Sequence, residues 1–461
     1  MTCACESIHP FPCQFEGETE FFSFDGKEWC RFHLPLRDAA GNKSDKGRGK
    51  NGWKKGGAER TKFSAEIHAR LGAATPWKGR NSGDDDTRAH LKGVAFPPGF
   101  DFSGICNEIH ADFTRAIFGT IRFSRLKFGD YTSFNRATFG GRAFFEGATF
   151  GDRAYFTGAT FGDRAYFTGA TFGDWAYFEG ATFGDWAGFR GAIFGGGAIF
   201  DNAAFDDSPN FAEAKFSGSV NFATSQEKNL RLERVNFSNA IFTGACKFDN
   251  RRFGPGVNFN GATFEDLAEF HGCEFHPGMS FHQTKFLKTK EDKLNTKKDN
   301  DDATERLERS YRTLKLEMEK LRARNEEADF FALEMECRRQ RGSVPPFERF
   351  AATLYKHLSD YGRSVDLPLI WLLVLAYAAH YLYLGVAMIG CNPGPGARLA
   401  FTLEQMFRPF FVWDKGAPGT GNCLVENFPL LIPFLASLQS LGTIGLLTLF
   451  LLALRRRFKM D

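Results

Sequence analysis

The stretch Ala159-Thr160-Phe161-Gly162-Asp163-Arg164-Ala165-Tyr166-Phe167-Thr168-Gly169 decides the fold of this chain. Each of its two Phe has a small residue two positions before it, and Gly stands in the segment that follows each. Outward from it, Phe recurs from Phe113 to Phe222 in steps that settle into an alternation of five and six, and the alternation resumes from Phe237 to Phe286. One unit is therefore eleven residues holding two Phe. An amphipathic helix would need spacings of three and four, and a half-buried strand a spacing of two. A step of five returns a side chain to the same inward aspect after one short face and one turn. One large and one small buried residue per face fill a narrow coil, and Gly and Asp accept its corners.

This pattern resembles the pentapeptide-repeat family, whose motif is a small residue, a polar one, Leu or Phe, and two more. The resemblance implies a β solenoid, a right-handed quadrilateral β-helix with four faces per coil, over residues 96–287. With the extra residue of every second unit at a corner, one coil takes 22 residues. From Phe102 to Phe286 that gives roughly eight coils and a rod on the order of 40 Å long, at about 4.8 Å per stacked strand. Between Phe222 and Phe237 three steps of five fit, with Leu232 in register and Ser225 to Asn229 bulging as a loop.

Composition agrees with a repeat: 54 Phe and 49 Gly stand against 10 Tyr and 7 Trp, as when one position is filled again and again. The length of 461 residues asks for two or three domains. A net charge of +3, from 58 basic and 55 acidic residues, marks neither a nucleic-acid binder nor an acidic tail. The N-terminus carries polar Cys, Glu and His where a signal peptide would carry an apolar run, so the first domain is expected to stay on the side of synthesis.

A filled coil offers no pocket in which an acid, base or nucleophile gathers, so no catalytic residue is assigned. His271, Cys273, His276 and His282 look like a ligand set, but Cys273 stands two before Phe275 and should face inward, while each His follows a Phe and points outward from a different face. Cys246 reads as core in the same way. Residues one before Phe should point outward and recur on a face every 22 positions, which aligns Tyr155 with Tyr177 and Phe144 with Tyr166. Trp175 and Trp186 add exposed aromatic area. These ladders either protect the sheet by stacking on themselves or dock a protein partner or a second copy. The family includes DNA mimics, which need a strongly acidic rod. Here Asp152, Asp163, Asp174 and Asp185 interleave with Arg142, Arg153 and Arg164, so neither mimicry nor nucleic-acid binding is expected.

At the N-terminus Cys5, Cys13, Cys30 and His33 have a spacing that suits a closed tetrahedral zinc site, with Cys3 as a substitute ligand. This stretch, ending Trp29-Cys30-Arg31-Phe32-His33-Leu34-Pro35, resembles the short Cys/His module ahead of the repeats in related bacterial proteins. One structural zinc in residues 1–36 is one reading, and reduced, unliganded thiols are the other. Residues 37–95 hold Lys43, Lys46, Arg48, Lys50, Lys54 and Lys55 among glycines. They read as a flexible basic linker, or as a segment attracted to anionic lipid or nucleic acid.

After the repeats a charged helical connector is expected over 288–345, with Asp302 and Glu305 as a capping-box start. In an amphipathic helix over 346–364, Phe347, Phe350, Leu354, Leu358 and Tyr361 share an apolar face beside Arg349 and Lys356, which suits a membrane interface. Residues 365–455 form a transmembrane hairpin, its spans at 367–390 and 428–454. Arg349, Lys356 and Arg363 precede the first span, and Arg455, Arg456, Arg457 and Lys459 follow the second. The positive-inside rule then puts both termini and the rod in the cytoplasm, at the inner membrane, and the loop 391–427 outside. There Cys391 and Cys423 form a disulfide or stay two independent thiols. His380, Gln439, Ser440 and Thr443 lie within the spans and must find partners. Either they bond helix to helix, with Gly442 and Gly445 allowing close approach, or Phe401 to Trp413 is a short helix that completes the helix, loop-helix, helix order of small tetrameric channels. No Thr-Val-Gly-Tyr-Gly-like filter is present, so potassium selectivity is not supported. The expected function is a non-enzymatic, homo-oligomeric scaffold that is anchored in the bilayer and binds a protein partner. The alternative is an oligomeric pore gated through the connector.

Overall fold

Five-residue steps leave room for strands of only two residues. In a computed structural model, Thr149–Phe150, Ala154–Tyr155, Thr160–Phe161 and Ala165–Tyr166 are successive strands of one coil, here called faces 1 to 4. The structure describes residues 15, 20–48, 50–76, 86–102, 108–225, 230–277, 279, 281–286, 297–387, 394–407 and 427–458. Each strand pairs in parallel with the one a coil further on: Phe150 with Phe172, Tyr155 with Tyr177, Phe161 with Phe183. Face 1 is a seven-stranded sheet from Lys127–Phe128 to Thr263–Phe264, and the longest sheets of faces 2 and 3 have six strands each. The solenoid starts at Ala89–His90, which pairs with Ala111–Asp112.

The interior is built from columns of Phe. Phe139, Phe161, Phe183 and Phe205 stack with centroids 4.6, 4.8 and 4.8 Å apart and ring planes within 4°. This spacing is that of the strands themselves, so the backbone ladder imposes the stacking. Between columns the rings meet edge to face, as Phe156 and Phe167 do at 5.8 Å and 88°, the arrangement that ring quadrupoles favour.

Corners are fixed locally. Ala148 donates its amide to the Phe145 carbonyl at 3.0 Å while Gly147 takes a φ of 63°, which makes a type II turn. Asn239 holds the same corner in a later coil, and Asn202 and Asn250 hold the corresponding corner between faces 2 and 3, all with positive φ, which Asn tolerates better than most residues. At the six-residue corners the Asp130 carboxylate accepts the Asp152 amide at 2.8 Å, and the Asp152 carboxylate accepts that of Asp174 at 3.1 Å.

The segment after Phe222 corrects the reading as three equal steps. Phe194 pairs with Phe216, but Phe216 pairs with Phe242, so this coil holds four more residues than its predecessor. Phe222 to Leu232 is one step, lengthened at its corner, and residues 226–229 lie outside the described residues. Arg251 occupies the inward site that Ala137, Ala159, Ala181 and Ala203 hold in earlier coils, and it is fully buried. Its guanidinium donates to the carbonyls of Phe222 and Phe200, and burial lowers its pKa to about 10.

Residues 37–95 are not a flexible linker throughout. The hairpin β1 (Phe21–Phe24) and β2 (Lys27–Cys30) is followed by α1 (Asp45–Arg48) and α2 (Ala58–Ala73). Phe63 of α2 lies 5.8 Å from Phe96, 5.6 Å from Phe100 and 5.5 Å from Phe32, so α2 plugs the open end of the first coil. Lys46 is buried rather than solvated. Its ammonium donates to the carbonyls of Arg31 and Phe32 at 2.7 and 3.0 Å, over the rings of Trp53 and Phe63. Partners of that kind replace the lost water, which a charge count cannot reveal.

The chain divides into two compact units, Met1–Leu287 and Lys288–Asp461. In the second, α3 (Lys297–Lys320) and α4 (Arg324–Gln340) pack together, burying Leu307, Tyr311, Leu314 and Met318. Because α3 begins at Lys297, Asp302 and Glu305 lie inside it and cap nothing. Next come α5 (Pro346–Ser359), α6 (Asp366–Ala387), α7 (Pro395–Phe407) and α8 (Leu431–Phe458). Phe347, Phe350 and Leu354 are exposed on α5, but Tyr361 does not join them. It turns inward, and its hydroxyl donates to Glu336 at 3.0 Å. Asp366–Gly385 and Leu431–Arg455 are long and apolar enough to cross a membrane.

Candidate functional site

The outward aromatics form ladders as their register predicts. Tyr155 stacks on Tyr177 with centroids 4.9 Å apart and planes 11° apart, and Trp175 lies 6.0 Å from Tyr177. Burial, and then Tyr177 itself, raise the Tyr155 phenol above its ordinary pKa, while the nearby Arg153 and Arg88 pull it the other way. On face 4 Phe144 stacks on Tyr166 at 5.5 Å, with the Arg122 guanidinium 4.9 Å over Phe144. Faces 1 and 3 separate faces 2 and 4 in both directions round the coil. Tyr155, Tyr177 and Trp175 therefore belong to one side and Tyr166 to the opposite side. Trp186, 58% exposed, stands at the corner between faces 3 and 4.

The interior thiols are inert. Cys246 and Cys273 are buried, Cys273 donates to the Phe248 carbonyl at 3.2 Å, and burial pushes its pKa up to about 12. His271, His276 and His282 are exposed.

Two groups near the N-terminus carry ligand-type side chains. Asp86, His90 and Asp112 bring their ligand atoms within 4.8 Å of one another. Arg88 lies 2.8 Å from Asp86 and 3.7 Å from Asp112, and Lys92 lies 3.4 Å from Asp112. These cations already compensate the carboxylates and would repel a metal ion. Cys30 and His33 are both buried, with Sγ 3.0 Å from Nδ1, while His33 Nε2 faces the Lys92 carbonyl at 3.2 Å. The structure thus brings together two of the four predicted ligands. Cys5 and Cys13 lie outside the described residues, as do Cys391 and Cys423.

In the second unit the polar residues of the apolar helices meet at α7. Tyr383 donates to Gln439 Oε1 at 2.9 Å, and Gln439 Nε2 donates to the Thr402 carbonyl at 2.9 Å. Ser440 donates to the Gln405 carbonyl, and His380 Nδ1 lies 3.4 Å from Thr402 Oγ1. Thr443 instead bonds its own helix, at the Gln439 carbonyl. Tyr383, Thr402, Gln439, Ser440 and Thr443 are all buried, and Gln405 Oε1 is buried without a partner among the described residues. At 1.5 Å per residue, Gln439 stands about 12 Å from the start of α8 and His380 about 10 Å from the end of α6. That is roughly a third of a bilayer core about 30 Å thick. Sequence reading singled out His380, Gln439, Ser440 and Thr443 but missed Tyr383, Thr402 and Gln405. The i, i+3 spacing of the last two on α7 was the available signal.

A model of pentapeptide repeats, in nine copies, matches residues 134–182, 145–193, 156–204 and 237–285. No curated protein and no solved structure matches the chain. The matched segments are the coils whose Phe columns, two-residue strands and 22-residue register are described above, and on that correspondence the solenoid is built of pentapeptide repeats.

Proposed function

We propose that the chain is a non-enzymatic scaffold, seated in the inner membrane by two spans, whose cytoplasmic solenoid presents its flat faces to a protein partner. The observation that carries this reading is the filled coil. Stacked Phe occupy the interior, so recognition falls to the outward ladders, with Trp175, Tyr155 and Tyr177 as an aromatic patch on face 2. Anchoring is supported by the apolar α6 and α8 and by the exposed Phe347, Phe350 and Leu354 of α5. Orientation is supported by Arg349 and Lys356 before the first span and by Arg455, Arg456 and Arg457 after the second. The loop 391–427 is then outside, where Cys391 and Cys423 pair as a disulfide.

A pull-down from membranes with the solubilised chain should retain a companion that is lost when Tyr155, Tyr177 and Trp175 are all changed to Ser. An unchanged set of companions would defeat the docking reading. Topology is tested with an impermeant thiol reagent and the variant Ser343→Cys, since Ser343 is exposed whereas Cys337 is buried with its thiol pushed up to about 12. Labelling only after the membrane is opened fits a cytoplasmic connector, and labelling of intact cells reverses it.

A second reading, an oligomeric pore, is favoured by the hydrogen bonding of α7 to residues well inside both apolar helices. Non-terminal polar structure at that depth is tolerated where it is buried in protein or lines a water-filled path. A conductance in reconstituted bilayers that His380→Leu abolishes would favour the pore, and silent bilayers across oligomer preparations would leave the scaffold.

A further inference from the structure

We infer that the partner covering face 2 is a second copy of this chain, laid antiparallel across that face. The inference rests on the docking reading above and names its partner. Charge along the solenoid changes sign inside the aromatic patch. From Arg115 to Arg164 stand eight basic and four acidic residues, and from Ala165 to Glu213 one basic and seven acidic. Tyr155 belongs to the last strand of face 2 on the basic side, and Tyr177 to the first on the acidic side.

The charges that matter flank face 2 itself. Arg153 and Asp174 occupy the corner between faces 1 and 2 in successive coils, at the levels of Tyr155 and Tyr177. Arg136 and Asp201 occupy the corner between faces 2 and 3, one coil before Tyr155 and one coil after Tyr177. Arg136, Arg153 and Asp174 are exposed, and neither Arg136 nor Asp174 belongs to an ion pair among the described residues.

Consider a two-fold axis in the plane of contact, crossing face 2 at right angles to the solenoid axis, midway between Tyr155 and Tyr177. Each coil then meets the coil of the second copy that lies equally far beyond the midpoint. Tyr155 meets Tyr177, Arg153 meets Asp174, and Arg136 meets Asp201. Every such pair occurs twice, because an isologous contact is self-complementary. A parallel pairing would lay each coil on its own level and set Asp174 against Glu179, so charge selects the antiparallel arrangement.

Two side chains lean to suit that arrangement. The Arg153 guanidinium lies 5.2 Å over the Tyr131 ring, one coil back, and donates to the Tyr131 hydroxyl at 3.1 Å. The Trp175 indole lies over Gly197, one coil on, so closely that a Cβ there would meet it at 2.2 Å. The same axis superposes these two levels, which brings the guanidinium of one copy to the indole of the other. Gly197 thereby keeps the indole flat along the face, and Tyr, Trp and Arg are the side chains that dominate binding energy at interfaces.

The test is the number of chains per particle in the detergent-solubilised full chain, by size exclusion with light scattering. Arg153→Asp and Asp174→Arg should each set like charges together twice, weaken self-association at least about a hundredfold and halve that number. An equimolar mixture of the two variants joins opposite charges at both sites again and should restore it, which misfolded chains could not do. Single chains in the wild type, variants that leave the number unchanged, or a loss that the mixture fails to reverse would each overturn the inference. The docking reading fails separately. If the wild type is a single chain yet the Tyr155, Tyr177 and Trp175 to Ser variant loses its companions, a different protein occupies face 2, whereas unchanged companions defeat both.

Discussion

The two units bury their interiors with opposite materials. The solenoid uses uncharged rings stacked at the strand spacing, with backbone amides satisfied from one coil to the next. The helices α3 to α5 bury carboxylates beside their apolar seam of Leu307, Tyr311, Leu314 and Met318: Glu308 holds Arg312 and Arg341, Glu334 holds Arg312 and Lys315, and Glu336 holds Lys356 and Arg339. A stack of near-identical coils spreads its stability over many equal neighbour contacts. A helical cluster concentrates it in a few charges that titrate. The first should resist pH and weaken where a column is broken, while the second should weaken in acid.

The largest expected effect breaks the first half of that contrast. Phe172→Asp puts a carboxylate among stacked rings with no partner and should destabilise the solenoid by about 4 kcal/mol or more, whereas Tyr166→Asp, on the outside, should cost under about 1 kcal/mol. Denaturant unfolding followed by the β signal measures both, and equal losses would contradict the inward and outward register.

A smaller effect tests the second half. Burial alone would raise the Glu336 pKa, but hydrogen bonds from Arg339, Lys356 and Tyr361 overcome it and lower the value to about 2, from 4.5. A carboxyl depressed on folding contributes stability above its unfolded pKa and loses it as pH falls through the folded one. The helical signal should therefore weaken between pH 4.5 and 2 while the solenoid signal holds. Glu336→Gln should flatten that acid limb, and coincident acid transitions of the two signals would erase the distinction between the units.

The smallest effect sharpens the comparison at Arg251, a charge buried among the rings of the solenoid. Arg251→Met replaces a buried guanidinium by an apolar chain of comparable length, a change expected to be neutral or stabilising by about 1 kcal/mol. A loss above about 2 kcal/mol in thermal unfolding would mean that its bonds to the Phe222 and Phe200 carbonyls hold the lengthened coil together.

The register was legible because it repeats: once Phe161 and Phe167 are assigned inward, Tyr155, Cys246 and Cys273 follow without any further information. Single events were not. Lys46 looked solvated because a sequence does not display the carbonyls of Arg31 and Phe32 that receive its ammonium. Phe63, Ile67 and Leu71 were present at helical spacing, but the surrounding Lys and Gly masked them as linker. The step after Phe222 misled because 15 residues divide evenly by five, whereas the structure stretches one corner and keeps the columns. At the polar seam, burial depth made Gln439 and Ser440 conspicuous, yet their partners on α7 depend on a helix folding back between two others.

The eleven-residue unit also makes the rod's length a heritable variable. Residues 148–158 and 159–169 are identical, and such tandem copies invite unequal exchange during replication. Gain or loss of 22 residues would slide every downstream face along by one strand spacing, about 4.8 Å, with no change of heading. Gain or loss of eleven would turn everything downstream by half a revolution, so that Tyr177 left the Tyr155 side and the chain emerged from the opposite flank. Natural variants that differ in length should therefore differ by whole coils wherever the direction of exit matters, and by half coils only where it does not.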